Sequence, residues 1–271
     1  MSNPWIAERF SQMLHGAAKE ARVTVFPSLA STNATAKQMA ADGAQSGTVI
    51  IAEQQSAGRG RMQRSFFSPD GTGLYMSLIV RKPFHPAEAV RLTTAAAVAT
   101  AQAIEAISDR RADIKWINDI YLDGKKACGI LTEGHISPET GRLYFAVIGI
   151  GVNVAPPEGG FPSEIADIAT AVCENANDAT GMRERLAAEI LNRLMPMLDD
   201  IFSPDILAEY RRRSFLSGQN VLVRRMEETG RAAKVIEIDD DFRLIVRYED
   251  GTTEALDSGE VSIRKIEKGC C

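Results

Sequence analysis

The alternation of apolar and polar residues predicts helices over residues 4–20, 31–43, 86–107, 182–203 and 204–215. Ser31 or Asn33 can cap the start of the second helix, and Gly43 can end it. The third helix is rich in alanine and has Pro86 near its start, which suits a long helix packed on a sheet. Pro196 predicts a bend or a break in the fourth helix.

Short apolar runs between these helices predict strands over residues 22–26, 48–53, 73–80, 112–134 and 142–155. The run at 48–53 is almost entirely apolar, so we expect it to be buried on both faces. Residues 112–134 contain the turn sequence Asp123-Gly124, which predicts two strands joined by a tight turn. These strands and the helices around them are assigned to one large domain, residues 1–217.

From Asn220 onward the predicted elements change from helices to closely spaced short strands. Five short strands follow in about fifty residues, separated by turn residues such as Gly230 and Asp250-Gly251. This spacing predicts a small β-barrel. The boundary is placed at Ser217-Gly218, which makes residues 218–271 a second domain.

Composition and charge argue against several classes of protein. The chain has 271 residues, a formal net charge of −5 and a pI of about 5.4, which argues against a general nucleic-acid or membrane-surface binder. It has no apolar run long enough to span a bilayer, and Glu8 and Arg9 interrupt the pattern of a secretory signal. Its four cysteines form no CxxC pair, which favours reduced thiols and a cytoplasmic location.

An arginine- and glycine-rich loop, AGRGRMQRSF at 57–66, carries concentrated positive charge in this acidic chain. Glycine lets a backbone approach a ligand closely, and the planar guanidinium of arginine donates paired hydrogen bonds to phosphate or carboxylate. The loop is neither a P-loop nor a dinucleotide-binding fingerprint. It is interpreted as a local anion site, with a solvated basic loop as the alternative.

A second polar stretch, KWIND at 115–119, lies at a predicted strand end and is followed by Lys126. Lys115 can reach a phosphate or carboxylate, Asn118 can hydrogen-bond a base or sugar, and Asp119 can help to hold magnesium. Each has a structural alternative: Trp116 can belong to the core and Asp119 can cap a turn. The sequence contains no Ser/His/Asp or Cys/His constellation that would indicate an enzyme nucleophile.

Six motifs occur in the order STN (31–33), ExQ (53–55), AGRGR (57–61), KWxND (115–119), KxxGIL (126–131) and GIGVN (149–153). In this order they resemble the biotin protein ligases. The resemblance implies an α+β fold, in which a mixed central sheet with flanking helices is followed by a small SH3-like C-terminal β-barrel. About twenty residues precede the first predicted strand, so a catalytic chain without an N-terminal helix-turn-helix domain is expected.

The resemblance also implies the reaction. The family uses ATP with Mg²⁺ to convert biotin into biotinyl-5′-AMP and diphosphate. It then transfers biotin to a lysine of the biotin carboxyl carrier protein, a subunit of acetyl-CoA carboxylase. Family members can pair edge strands between subunits, which leaves a homodimer open here.

Site residues follow from the matched motif positions. The resemblance gives catalytic roles to Arg59, Arg61 and Lys126. It implies biotin contacts from Ser31, Thr32, Asn33, Gln55, Arg59, Gly60, Arg61, Lys126 and Gly129. It places Gly58, Arg64, Phe66, Lys115, Trp116, Asn118 and Asn153 on the ATP side. No residue is assigned as a metal ligand.

The chain departs from the family pattern at three positions. Gln63 replaces a further glycine of the arginine loop, Phe66 stands where tryptophan is common, and Ile117 replaces the proline of KWPND. None of these changes removes a charged group, although they bear on loop flexibility and nucleotide affinity. Two other functions remain as alternatives: a lipoate–protein ligase, and a non-catalytic nucleotide-binding module. The STN and KWxND motifs favour biotin.

Overall fold

The computed structural model describes residues 7–175, 181–225, 230–257 and 261–265. Its larger sheet has seven strands: β1 (Arg22–Phe26), β2 (Thr48–Ala52), β3 (Gly73–Val80), β4 (Asp113–Lys115), β5 (Asp119–Leu122), β6 (Lys125–Ile136) and β7 (Leu143–Asn153). Their order across the sheet is β1-β2-β3-β7-β6-β5-β4. Because β1 pairs with β2 in parallel and the other neighbours are antiparallel, the sheet is mixed, as predicted.

Helices cover both faces of this sheet. They are α1 (Ala7–Met13), α2 (Thr32–Ala41), α3 (Ala89–Ile107), α4 (Met182–Asp199) and α5 (Pro204–Arg213). Side chains alternate between the faces of a strand, so Val49 and Ile51 join the main core while Ile50 packs in a smaller cluster with Ala36 and Ala40 of α2. Every residue of β2 is buried, which confirms the expectation for the run at 48–53.

Two predicted helices differ from the structure. The first helix ends at Met13 and is followed by a 3₁₀ turn over Gly16–Glu20, because Gly16 has a left-handed φ of 54°. Residues 4–6 of that prediction lie outside the described residues. The fourth helix runs on through Pro196 to Asp199, so the proline does not break it. Among the described residues, no helix combines the length and apolarity needed to cross a membrane.

A second sheet follows the helices, with β8 (Asn220–Arg225), β9 (Arg231–Ile238), β10 (Leu244–Tyr248), β11 (Thr253–Leu256) and β12 (Val261–Lys265). Its antiparallel order is β11-β10-β9-β8-β12, which confirms a small separate β-unit. This unit rests on the larger one, because Trp116 Nε1 donates to Phe242 O at 2.8 Å and the Tyr210 ring meets the Phe242 ring edge-on. The two units share one apolar core.

Candidate active site

One cavity gathers the polar motifs of the sequence. It lies between the arginine loop, the start of α2 and strands β5 to β7, and it contains roughly 1020 Å³ of space, part of which is open to solvent. Fourteen of the predicted site residues line it: Ser31, Thr32, Asn33, Gln55, Arg59, Gly60, Arg61, Arg64, Phe66, Lys115, Trp116, Asn118, Lys126 and Gly129. Gly58 and Asn153 do not.

The start of α2 forms a neutral hydrogen-bonding wall. Ser31 caps the helix, and its Oγ accepts from the Ala34 N–H at 3.4 Å. Thr32 N donates to Gln55 Oε1 at 2.8 Å, and Thr32 Oγ1 lies 3.1 Å from the same oxygen. Gln55 Nε2 in turn donates to Ser68 Oγ at 3.0 Å. These bonds set the orientation of the Gln55 amide in the cavity lining.

Asn33 is fixed from three sides. Its Nδ2 donates to Leu131 O at 3.1 Å and to Glu133 Oε2 at 2.9 Å, while Ser77 Oγ donates to its Oδ1 at 2.7 Å. The amide also lies directly on the backbone of β7, because a Cβ added at Gly149 would fall 2.1 Å from Asn33 Oδ1. Asn33 therefore acts as a rigid part of the cavity wall.

The arginine loop folds over the cavity as a short hairpin. Arg59 pairs with Ser65, and Gly60 N donates to Arg64 O at 2.7 Å. At its tip Met62 and Gln63 have left-handed φ angles of 53° and 58°, which non-glycine residues seldom adopt. Gln63, which replaces the glycine that the sequence resemblance implies at this point of the loop, thus occupies such a position. Arg61, the second arginine of the loop, joins the loop to Asn118 of the KWIND segment.

Arg61 connects the arginine loop to the rest of the site by hydrogen bonds. Its Nη1 donates to Asn118 Oδ1 at 3.0 Å, and Asn118 Nδ2 donates to Ile130 O at 2.8 Å, so loop, KWIND segment and β6 form one chain of hydrogen bonds. Burial lowers the pKa of Arg61, while the charge of Asp119 opposes the shift. Arginine still stays protonated at neutral pH. A partly desolvated cation attracts an anion more strongly than one in bulk water does.

The cavity is strongly cationic. Its lining includes Arg59, Arg61, Arg64, Lys115 and Lys126. Asp119 is the carboxylate among the described lining residues, and its Oδ1 lies 2.7 Å from Lys126 Nζ as an ion pair. The described residues contain no group of three or more His, Cys, Asp or Glu side chains that could hold a metal ion. The cavity is therefore suited to a ligand that itself carries several negative charges.

Phe66 lies on a floor of glycines. A Cβ added at Gly151 would fall 2.7 Å from its ring, and one added at Gly129 would fall 3.4 Å away. These two glycines face each other in the β6–β7 register, so the ring rests on bare backbone. Phe66 also meets Tyr75 edge-on at 6.5 Å between ring centroids.

Gly58 and Asn153 have structural contacts outside the cavity lining. A Cβ at Gly58 would fall 2.4 Å from Phe66 O, so glycine is needed there for packing. Asn153 Nδ2 donates to Thr170 O at 3.0 Å. Their nucleotide contacts stay predictions. Trp116 both lines the cavity and belongs to the core, so its two interpretations are compatible.

Sequence reasoning assigned no role to some residues of the site. Met62, Ser65, Ile130, Leu131 and Ile150 line the cavity, and Ser77 and Glu133 hold Asn33 from behind its wall. Ser77 and Glu133 lie on strands, where their partners depend on sheet register, so the local sequence gave no signal for them.

Comparison with known proteins agrees with this geometry. Residues 25–153 match the biotin/lipoate A/B protein ligase family, and residues 216–264 match the biotin protein ligase C terminal domain. A biotin ligase relative is also 31% identical over 85% of this chain. The chain belongs to the biotin protein ligases. The resemblance seen in the sequence motifs is thereby confirmed, and the second match favours the biotin branch over the lipoate branch.

Two relatives and one solved structure illustrate this membership. Bifunctional ligase/repressor BirA of Bacillus spizizenii is 36% identical over 226 residues, which span 82% of this ligase and 68% of that protein. Biotin--[acetyl-CoA-carboxylase] ligase of Mycobacterium tuberculosis is 31% identical over 239 residues, 85% of each chain. The biotin protein ligase of Aquifex aeolicus in complex with biotin and ATP superposes with a TM-score of 0.73 at 25% identity, over 90% of this chain and 99% of that one.

Proposed function

We propose that this biotin protein ligase joins biotin to ATP in the cavity and then passes biotin to a lysine of an acceptor protein. The biotin carboxylate attacks the α-phosphorus of ATP, diphosphate leaves, and biotinyl-5′-AMP remains. The lysine amine then attacks the acyl carbon, and AMP leaves as the new amide forms. Both nucleophiles come from substrates, so the protein supplies position and charge.

The observation that carries this proposal is that neutral hydrogen-bonding groups and cations line one cavity together. The start of α2 with Gln55 offers neutral donors and acceptors, as a ureido ring requires. The same cavity is lined by Arg59, Arg61 and Lys126, as a carboxylate beside a phosphate requires. Lipoate has no ureido group to bond with these neutral groups, and a simple polyanion site would have no need of them.

We assign the charged residues to the developing transition state. Negative charge grows on the α-phosphate oxygens and on the departing diphosphate during the attack. Fixed cations that face those oxygens stabilise that state more than the ground state. Arg61 is already held by Asn118, so its guanidinium needs little reorganisation when the substrates bind. We expect Phe66, Lys115 and Trp116 to contact the nucleotide.

Magnesium is proposed to arrive with ATP. Mg²⁺ in nucleotide enzymes is commonly held by one or two carboxylates together with substrate phosphates. Asp119 is the carboxylate placed to assist, although it is already paired with Lys126. When bound, the ion would neutralise phosphate charge.

Calorimetric titration tests the proposed function. Biotin and then lipoate are titrated into the full chain, with and without Mg-ATP, and the bound product is identified by mass spectrometry. We expect biotin to bind and biotinyl-5′-AMP to accumulate only with Mg-ATP. Binding of lipoate in preference to biotin would move the protein to the lipoate ligases. Polyanion binding without adenylate formation would instead support the nucleotide-binding module.

Four further expectations stay proposals. The acceptor is a biotin carboxyl carrier protein of acetyl-CoA carboxylase, and the protein acts in the cytoplasm. The catalytic domain spans residues 1–217 and the C-terminal domain spans 218–271. Two chains can form a homodimer through edge strands, since β1 and β4 end the larger sheet. Light scattering of the purified chain tests the last of these.

A further inference from the structure

Lys126 and Gly129 lie on the same face of β6, although they are three positions apart in the chain. Both residues line the cavity, and a Cβ added at Gly129 would fall 3.3 Å from both Cε and Nζ of Lys126. Side chains alternate between the two faces of a regular strand, so residues three positions apart point to opposite faces. A regular strand with Gly129 at the cavity would therefore turn Lys126 away from it.

A β-bulge in β6 explains how Lys126 reaches the cavity. Ile120 of β5 pairs with Cys128 of β6. The next residue of β5, Tyr121, pairs with Lys126, so Ala127 is the extra residue of a bulge. Ala127 and Cys128 are both fully buried, although they are neighbours in the strand. The extra residue reverses the alternation, and the side chain of Lys126 consequently faces the cavity.

The segment 165–170 holds the backbone of Lys126 at this bulge. Lys126 N donates to Ile168 O at 2.8 Å, and Thr170 N donates to Lys126 O at 2.9 Å, in a short parallel bridge. Asn153 at the end of β7 holds the segment in turn, because its Nδ2 donates to Thr170 O at 3.0 Å. Both polar groups of the Lys126 backbone are thus bonded to one segment.

The other end of the Lys126 side chain is held by Asp119. Its Oδ1 lies 2.7 Å from Lys126 Nζ, and Asp119 pairs with Gly129 in the register of β5 and β6. The side chain therefore runs along the bare backbone of Gly129, from the bulge to the ion pair. A cation that is already in place stabilises developing negative charge with little rearrangement.

We infer that the bulge at Ala127 and the segment 165–170 together aim Lys126 at the reacting carboxylate and phosphate. Thr170 is the positioning residue, because its backbone N–H holds the Lys126 carbonyl. Without that bond, β6 is freer to relax toward regular pairing with β5, which would turn Lys126 away from the cavity. This inference rests on the proposed function, which gives Lys126 its part in the reaction.

Thr170→Pro tests the inference by removing the N–H that bonds to Lys126 O. Single-turnover formation of biotinyl-5′-AMP should be about tenfold slower than in the unchanged protein, because small displacements of a catalytic group reduce the rate steeply. The matched control Thr170→Ala keeps the N–H and should slow the reaction less than about twofold. Equal slowing by both variants would assign the effect to the threonine side chain and overturn the inference.

A double-mutant cycle separates positioning from a general loss of structure. A Lys126→Ala background has no ammonium group to aim, so Thr170→Pro should slow its remaining reaction less than about twofold. A tenfold loss in both backgrounds would overturn the inference. If Thr170→Pro does not fold in a thermal melt, an ester in place of the Ala169–Thr170 amide removes the same N–H without a proline ring. The same rates are then expected from the ester, and the same results would refute the inference.

The proposed function and this inference fail differently. If the unchanged protein forms no biotinyl-5′-AMP, the proposed function is wrong. If Lys126→Ala forms it as fast as the unchanged protein, the role assigned to Lys126 is wrong and the inference falls with it. If Lys126→Ala is slow and Thr170→Pro is not, Lys126 takes part in the reaction without help from the segment 165–170, which refutes the inference alone.

Discussion

Replacement of Gly149 by alanine should damage the cavity wall through Asn33. The added Cβ would fall 2.1 Å from Asn33 Oδ1 and 2.8 Å from its Cγ, far inside van der Waals contact. The backbone of β7 has little freedom to retreat, because Gly149 is paired with Leu131 on one side and with Ser77 on the other. The Asn33 side chain must therefore rotate away.

The magnitude follows from the bonds that Asn33 makes. It has two bonds to neutral partners, Leu131 O and Ser77 Oγ, and one to the Glu133 carboxylate. Neutral hydrogen bonds contribute about 1 kcal/mol each and a bond to a charged group about 1.5–3 kcal/mol. Partial re-formation after rotation lowers that sum, so we expect Gly149→Ala to reduce the free energy of unfolding by about 3 kcal/mol.

The assay is a double-mutant cycle in urea, with calorimetric titration of biotin in parallel. In an Asn33→Ala background the atoms that the new methyl group would strike are absent. There Gly149→Ala should cost less than about 1 kcal/mol, and the difference between backgrounds measures the collision. Biotin affinity should follow the same pattern. An equal cost in both backgrounds would mean that the strand backbone, and not Asn33, resists the methyl group.

Four other changes test separate features. Gln63→Val puts a β-branched residue at φ 58°, a conformation that strains such a residue, whereas Gln63→Gly is free of that strain. The valine variant should therefore release biotinyl-5′-AMP faster than the glycine variant in chase experiments, and slower release from the valine variant would contradict this. Lys126→Ala should slow adenylation about a hundredfold in single-turnover kinetics while weakening ATP binding much less; matching losses would indicate uniform binding. Trp116→Phe removes the donor to Phe242 O, so urea titration should show about 1–3 kcal/mol less stability, and no change would deny that bond a role in joining the two units. Although burial opposes ionisation, hydrogen bonds from Lys37 and Asn33 hold the pKa of Glu133 below its ordinary 4.5. The stability that the ionised Glu133 carboxylate contributes to the cavity wall is therefore fully present above pH 4.5 and is lost as the pH falls through the pKa of the folded protein. Biotin affinity should stay flat from pH 8 to about 5, and a transition near neutrality would contradict this.

Local sequence predicted the chemistry of the site because its motifs are contiguous. The STN, GRGR and KWxND segments place polar and charged residues where apolar runs end, and such positions become the ends of strands and helices. Ser31 was expected as a helix cap and is one. The small C-terminal sheet was also predictable, since turn residues at short intervals separate its strands.

The supports of the site were not predictable from one sequence. Ser77 meets Asn33, 44 positions away, because β3 pairs with β7. Glu133 meets Asn33 across 100 positions, because β6 is the next strand along. A slip of one residue in either register would send these side chains to the opposite face, and local periodicity does not report the register between distant strands. For the same reason the fit of Gly149 beneath Asn33 was not foreseen.

The glycines of β6 and β7 explain why the site is built on the middle of a sheet. Glycine within a strand costs roughly 0.5–1 kcal/mol relative to alanine. Yet Gly129, Gly149 and Gly151 lie in two adjacent central strands, and the last two of these leave no room for a methyl group. Their bare backbone lets the Asn33 amide and the Phe66 ring pack directly against the sheet, where both side chains line the cavity. A sheet paired on both sides holds such contacts more rigidly than a loop would, so the loss in strand stability is offset by a preorganised substrate site.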